Sequence, residues 1–487
     1  MPPPSYTLNH TLTADDVLSP YIYVFYAAFI VSFIFTPVMR SIAMYYGIVD
    51  RPDRIRKLHK EPVAYLGGLA VFLGWLAGLA MSQFLYTHRS GPGLPDHVIV
   101  RFSIVASACM IVALGMVDDL RSLPPKMKIL GQIAAAQVLL SAGVGTKVSY
   151  HFLDPIVIRI VATCPSLSWL LEPHFYANLA LVISILITTC VVVFCCNATN
   201  LMDGLDGLCG GVTAIIASGL LFLAVYLGMT GAGSNTNWDA LRVVLGLALL
   251  GGVLGFVPYN FNPASIFMGD TGSMFLGFSC ATLIVLMGDR EGRWFLAAGV
   301  MFSLPILDTT LAFARRYVNG RPLFSADKFH FHHQLVARGF SVRGAVLTSY
   351  GLATFFTIAG AAVVVLRERY VVGFYLVLFG YIMVAAVKIG MVHEKTVVVQ
   401  RRPLGADRSN QSNKSATIEP NAVVEVHLSD ESPAGPTASV PGGWAADHGT
   451  PQADGRAGTP RNNNAAGVPN PSVDGSSTVP GKSADRE

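Results

Sequence analysis

Four clusters of polar residues interrupt an otherwise apolar chain. Gly115-Met-Val-Asp118-Asp119-Leu runs on through Arg121 and two prolines to Lys126 and Lys128. Adjacent carboxylates beside ammonium groups suit a metal-bound diphosphate, because the acids hold the cation or take a proton while the lysines neutralise phosphate oxygens. Asn200, Asp203 and Asp206 recur every three residues in Asn197-Ala-Thr-Asn200-Leu-Met-Asp203-Gly-Leu-Asp206-Gly. That spacing puts them on one face of a helical turn, and the glycines permit close backbone approach. Such amides and acids read a nucleobase or ribose, or else form a capped Asn/Asp/Gly turn. In Phe261-Asn262-Pro-Ala-Ser-Ile-Phe267-Met-Gly269-Asp270-Thr271-Gly272-Ser273 a lone acid stands at the start of an apolar helix, where N–H groups favour anions, and Phe267 offers a stacking face. The fourth cluster, Arg315 to His333, places Arg321, Asp327 and Lys328 before His330, His332 and His333. Its H-x-H-H spacing does not match structural zinc, so phosphate contact is the better reading. A smaller basic loop around Arg56, Lys57, His59 and Lys60 reads first as a membrane anchor.

The elements that must position these groups are membrane helices. Of 487 residues, 52% are hydrophobic and 13% charged, about half the charge of a soluble domain. The net charge of +4 is scattered and carries no nucleic-acid signature. The seven cysteines form no C-x-x-C pair and lie mostly in apolar runs, so they read as small apolar filler. Spans of roughly 20 residues are expected near 21–46, 63–86, 98–117, 178–196, 207–229, 241–261, 294–314, 347–366 and 370–387. Shorter runs near 129–145 and 274–288 are ambiguous, and counting both gives an all-α integral membrane protein of about eleven helices. Met1 to Pro20 holds no Lys or Arg, so the first run reads as a retained helix rather than a cleaved signal. Lys and Arg then concentrate on alternate connections, predicting an outside amino terminus and a cytoplasmic carboxyl terminus, with all four clusters on the cytoplasmic side. The expected organisation is an extracytoplasmic segment at 1–20, a membrane domain at 21–395 and a disordered cytoplasmic tail at 396–487, rich in Pro, Gly, Ser, Asn and Ala.

No Walker loop, dinucleotide fingerprint or nucleophile elbow is present, and no internal repeat of the transporter kind is evident. Phosphoryl transfer fits the remaining inventory, being mostly positioning and charge neutralisation. A cation-coupled transporter using Asp118, Asp119, Asp203 and Asp270 is the rival from another class, and it predicts acids deep within helices. A scaffold whose loops bind a soluble partner leaves the ordered motifs unexplained.

Taken in order, KLHKEPVAYLGG, GMVDDLRSLPPKMK, NATNLMDGLDG, NPASIFMGDTGS and GRPLFSADKFHFHH resemble the polyprenyl-phosphate N-acetylhexosamine-1-phosphate transferases. This resemblance runs from about Asp50 to Phe340. It implies an eleven-helix enzyme of a bacterial cytoplasmic membrane that moves a sugar 1-phosphate from a UDP-sugar to a polyprenyl phosphate such as undecaprenyl phosphate. The products are UMP and a lipid-diphosphate-sugar, the first membrane step of an envelope glycopolymer. It also implies Mg²⁺, for which Mn²⁺ can substitute, and leaves homodimerisation open. By motif, Asp270 resembles the principal metal ligand, and Asp118 and Asp119 resemble metal-associated or proton-accepting acids. Lys126 resembles the phosphate-binding lysine, with Lys128 and Arg321 beside it. Asn200, Asp203 and Phe267 resemble the uridine site; His330, His332 and His333 resemble the diphosphate-binding histidines, with His332 among the catalytic candidates. Asp206 and His59 lie in the motifs without a clear role. The H-x-H-H form resembles the GlcNAc-1-phosphate branch rather than the phospho-MurNAc-pentapeptide branch, which usually shows three consecutive histidines.

Overall fold

A computed structural model describes residues 13–50, 62–88, 100–230, 236–320, 330–364 and 368–388, with Pro322 and Leu366. His59, Arg321, Asp327, Lys328 and the expected tail at 396–487 lie outside the described residues. Two units separate by contacts, Met1–Thr396 and Val397–Glu487; only the first contains described residues.

Fifteen α-helices make up nearly all the described structure: α1 Ala14–Leu18, α2 Ile22–Tyr46, α3 Gly67–His88, α4 Phe102–Arg121, α5 Pro125–Ser141, α6 Tyr150–Thr163, α7 Pro173–Met202 and α8 Leu208–Thr230. They continue with α9 Thr236–Asn260, α10 Gly269–Gly288, α11 Gly292–Met301, α12 Ser303–Val318, α13 Phe331–Ala337, α14 Val342–Val363 and α15 Glu368–Lys388. Helix is what long apolar runs must form where no water can satisfy backbone N–H and C=O groups. The ends carry the expected signals. α2 stops at Gly47, whose left-handed φ of 71° lets its N–H return to the carbonyls of Ala43 and Met44. α7 begins at Pro173 behind Glu172, whose carboxylate accepts the Phe175 N–H at 2.8 Å.

Among the described residues, eight helices are long and apolar enough to cross a membrane, or nine if α11 and α12 form one bent span. The expected eleven also included α5, a 17-residue helix, and α15, whose apolar part is short. The run at 294–314, read as one span, instead breaks at Phe302 with a 71° bend between α11 and α12. Pro305 is the physical reason: without an N–H it cannot continue the hydrogen-bond ladder back to Met301, and its ring crowds the preceding turn. The ambiguous run at 274–288 is the interior of α10. α6, between α5 and α7, was not foreseen.

α10 is the axis of the fold. Its whole apolar window is buried, and α3, α4, α7, α8, α9 and α11 pack around it. Lipid tails are as apolar as leucine, so helix association depends on close packing of small residues. At Gly277 a Cβ would stand 2.7 Å from the Cys196 Cα, so only glycine lets α10 and α7 meet there. Cys195, Cys196, Cys209 and Cys280 are buried in this packing, while Cys109, Cys164 and Cys190 are exposed. Beyond the far end of α10, Arg242 of α9 donates through Nε and Nη2 to the Leu286 carbonyl at 3.0 and 2.8 Å. A cation at a helix carboxyl terminus opposes the macrodipole charge there.

A two-stranded antiparallel pair, β1 Val49–Asp50 and β2 Val63–Ala64, brings the described end of the first motif to the amino end of α10. The Phe267 N–H donates to the Ala64 carbonyl at 2.8 Å, and the Gly67 and Gly68 N–H groups donate to the carbonyls of Phe267 and Met268. Gly68 and Gly272 meet with no room for a Cβ on either.

Candidate active site

The carboxylates at the end of α4, Lys128 in the first turn of α5, the end of α7 and the start of α10 converge at one end of the bundle. Asp270, the second residue of α10, is the hub. Its Oδ1 accepts from Asn200 Nδ2 at 2.8 Å and its Oδ2 from Lys128 Nζ at 2.8 Å. The same ammonium reaches Asp118 Oδ2, so one lysine bridges two carboxylates. Asp118 is buried, with its other oxygen accepting the Leu123 N–H at 2.6 Å, which folds the chain between α4 and α5 back over the acid. Asn200 Nδ2 also donates to Ser273 Oγ at 3.0 Å, tying α7 to the first turn of α10.

Asp119 faces a different task from its neighbour. Its Oδ1 accepts the Asp270 N–H at 2.7 Å; its Oδ2 accepts the Thr271 N–H at 3.0 Å and the Thr271 hydroxyl at 2.6 Å. Expected among the metal-associated or proton-accepting acids, it caps the amino end of α10 from outside that helix, where N–H groups lack intrahelical acceptors. Gly269 makes this possible: its φ of 72° is left-handed, and a Cβ there would stand 2.7 Å from Asp119 Oδ2. Gly115, one turn earlier on α4, lets the two helices close, since its Cβ would meet the Thr271 Cα at 2.5 Å.

The expected helical face through Asn200, Asp203 and Asp206 is not continuous. α7 ends at Met202, Asp203 is its carboxyl cap, and Gly207 takes a left-handed φ of 80°. Asp206 turns away to clamp the α9–α10 connection, its Oδ2 accepting from Asn262 Nδ2 at 2.9 Å and the Ala264 N–H at 3.1 Å. Asp203 stays beside the acid cluster. Burial, reinforced by the carboxylates of Asp270, Asp119 and Asp206, pushes its carboxyl up to about 8. Phe267 is half-buried with its ring tilted against Tyr65, centroids 6.0 Å apart. Of the two lysines on α5, Lys128 enters the acid cluster, while Lys126 is exposed and makes no side-chain bond among the described residues.

The histidines gather at the start of α13. His330 and His332 stack with centroids 5.8 Å apart, and His333 lies 4.2 Å from His332. His332 is buried against Gly204, where a side chain would collide with its Nε2, so this motif adjoins Asp203. Burial pulls the His332 imidazole down to about 3, so it is neutral at working pH.

The sequence model of glycosyl transferase family 4 matches residues 101–288, from just before α4 to the end of α10. The chain is 33% identical over 379 residues to a probable undecaprenyl-phosphate N-acetylglucosaminyl 1-phosphate transferase of Bacillus subtilis (strain 168), covering 76% of this chain and 93% of that protein. The chain belongs to glycosyl transferase family 4. It is also 34% identical over 344 residues to a decaprenyl-phosphate N-acetylglucosaminephosphotransferase of Mycolicibacterium smegmatis, covering 66% of this chain and 77% of that protein. A phospho-N-acetylmuramoyl-pentapeptide-transferase of Symbiobacterium thermophilum shares 30% identity over 284 residues, 58% of this chain and 77% of its own.

Within this family 4 chain, sequence reasoning passed over Asp308, a buried acid inside the run read as a plain span. The signal was present, because an ionisable residue within an apolar helix is costly and marks function or a buried partner. Tyr65 also went unread. Burial raises its phenol, and Asp50, Asp119 and Asp203 act on it in the same direction, so the motif ahead of α3 borders the acid cluster.

The raised Asp203 carboxyl has a measurable consequence for the family 4 fold. Its folded-state value of about 8 lies above the ordinary carboxylate value, so between roughly pH 4 and 8 the folded chain holds a proton that the unfolded chain has lost. Stability from this group is therefore full at acid pH and declines as pH rises through that window. Asp203→Asn, which mimics the protonated acid, should flatten the pH dependence of Tm and raise Tm at pH 8 relative to wild type. Thermal unfolding in detergent at several pH values checks this; parallel curves for both proteins would count against it.

Proposed function

We propose that the chain transfers a sugar 1-phosphate, first of all GlcNAc-1-phosphate, from a UDP-sugar to a polyprenyl phosphate, releasing UMP. The observation that carries this is the convergence of Asp118 and Asp270 on one ammonium beside Asn200 and Asp203. That grouping offers cation-binding oxygens, a phosphate-neutralising lysine and nucleoside-reading groups at one helix end. The relatives supply the substrate class: two with GlcNAc in their names match over 344 and 379 residues, against 284 for the pentapeptide transferase. The H-x-H-H spacing favours the same branch, and transfer of phospho-MurNAc-pentapeptide or another UDP-amino sugar is the second reading. Asp118, Asp119, Asp203 and Asp270 stand at helix ends in one cluster, which suits interfacial chemistry better than the ion path of a transporter.

Among the described residues there is no group of three or more His, Cys, Asp or Glu arranged as a metal cage. Mg²⁺ does not need one, because it keeps its waters and binds through one or two carboxylates plus substrate phosphates. Two carboxylate oxygens converging on a single cation are such a donor set, so Asp118 and Asp270 fit as its holders, for Mn²⁺ as well. When bound, the metal would draw charge from the diphosphate. Lys128, released from bridging the acids, would neutralise a phosphate oxygen, while Asn200 keeps Asp270 oriented. Asp203 and Phe267 would take the uridine, the Phe267 ring as a stacking face. The acceptor, a phosphate monoester with a second pKa of roughly 6, is largely dianionic at neutral pH and attacks the β-phosphorus in line without a strong general base. The P–O bond to UMP breaks as the new P–O bond forms.

The proposed setting is the cytoplasmic membrane of a bacterium, with eleven spans, the amino terminus outside and the site facing the cytoplasm. UMP release by purified protein from UDP-GlcNAc and undecaprenyl phosphate tests the reaction: it should require both substrates and a divalent cation. No release with any UDP-sugar from folded protein would overturn it. A chain truncated after Arg402 should release UMP within about twofold of the full-length rate, since a Pro/Gly/Ser-rich tail cannot build a site. Folded but inactive truncated protein would assign the tail a role in turnover.

A further inference from the structure

The bend at Phe302 puts Asp308 on α12 underneath the histidine motif of α13. Asp308 is 3% exposed and His330 5%, so neither group is solvated. Asp308 Oδ2 lies 3.2 Å from His330 Nδ1, and Oδ1 accepts the Phe331 N–H at 2.7 Å. His330 is the amino-cap residue of α13 and makes no side-chain capping bond of its own, so the buried acid caps this short helix in its place. A carboxylate beside Nδ1 selects the ring form with a proton on that nitrogen.

Phosphate oxygens only accept hydrogen bonds. A histidine that gives Nδ1–H to a carboxylate and also touches phosphate must therefore donate from Nε2. His330 Nε2 makes no hydrogen bond among the described residues. The other titratable groups near the ring are His332 and His333 on α13. α12 adds Arg315 and Arg316, both buried with partners. α14 contributes Arg343, whose Nε is engaged by the Asn262 carbonyl. Asp203 lies beyond His332, past Gly204.

We propose that Asp308 is the positioning residue of the histidine motif: by taking Nδ1–H of His330 and the N–H of Phe331, its carboxylate fixes the imidazole to donate Nε2–H to the donor diphosphate. This rests on the transferase reading. Asp308 touches no substrate and acts through His330.

Asp308→Asn keeps the shape but turns an amide NH₂ or a neutral oxygen toward Nδ1, so the carboxylate that holds the ring in place is lost. In the full-length protein, kcat/KM for UDP-GlcNAc should fall about 10²-fold, on the scale of one lost transition-state donor. Asp308→Glu, which retains the carboxylate, should recover most of that loss. In a His330→Gln background the same change should add less than about twofold, because residues acting as one unit are not additive. Fully additive losses, or no recovery with Asp308→Glu, would overturn the role of Asp308 while leaving the transferase reading intact. Wild-type protein that neither releases UMP nor gains thermal stability with UDP would overturn both. Should Asp308→Asn fail to fold, Asp308→Glu against His330→Gln carries the test: the glutamate should keep kcat/KM within about tenfold of wild type, and the glutamine should not.

Discussion

Asp270→Asn is expected to lower UMP release by at least about 10²–10³-fold with little change in Tm, because it removes charge from where the diphosphate cation must sit. The argument is geometric. Asp270 faces two donors, Asn200 Nδ2 on one oxygen and Lys128 Nζ on the other. An asparagine can satisfy only one, and its NH₂ must point at the amide of Asn200 or the ammonium of Lys128. Lys128 then relaxes toward Asp118 alone, and the two-carboxylate cation site is gone. α10 itself should stand, since its amino end is held by Asp119 through the Asp270 and Thr271 N–H groups, which the substitution leaves in place. Rate measurement across a range of Mg²⁺ concentrations, beside a melting curve, checks both halves. An active Asp270→Asn protein with unaltered Mg²⁺ dependence would remove Asp270 from the proposed metal site.

The second large effect is expected at Asp119, by a different route. Asp119→Ala strips the acceptor from two N–H groups and one hydroxyl at the first turn of α10. Losing a cap costs about 0.5–2 kcal/mol, and each buried donor left unsatisfied costs about 1–3 kcal/mol. Tm should therefore fall clearly, with no substrate or metal present, and UMP release should drop about 10²-fold because Asp270 loses its orientation. The substrate-free melt separates this from metal binding. If the alanine variant melts like wild type and only its Mg²⁺ requirement rises, Asp119 is a metal ligand and the capping assignment fails.

These two neighbouring acids show where legibility in the sequence stops. The Asp118-Asp119 pair at the end of an apolar run stood out in the sequence, since charge at membrane level is expensive. Nothing in the order of residues told which acid would face Lys128 and which would face α10. Adjacent helical residues point about 100° apart, so the division of labour depends on which neighbouring helix each side chain meets. The choice of Lys128 over Lys126 is of the same kind: two residues apart on a helix start, they face different ways.

Length and hydropathy determined that the chain is a bundle of membrane helices with its polar motifs at helix ends, because lipid leaves the backbone no alternative to helix. Residue type and motif order also pointed to the family. Tertiary structure alone decided that α10 is the buried axis, that Asp206 clamps a loop, that the run at 294–314 bends at Phe302, and that Asp308 lies under His330. Each depends on contacts between residues far apart in the chain, which local periodicity does not encode.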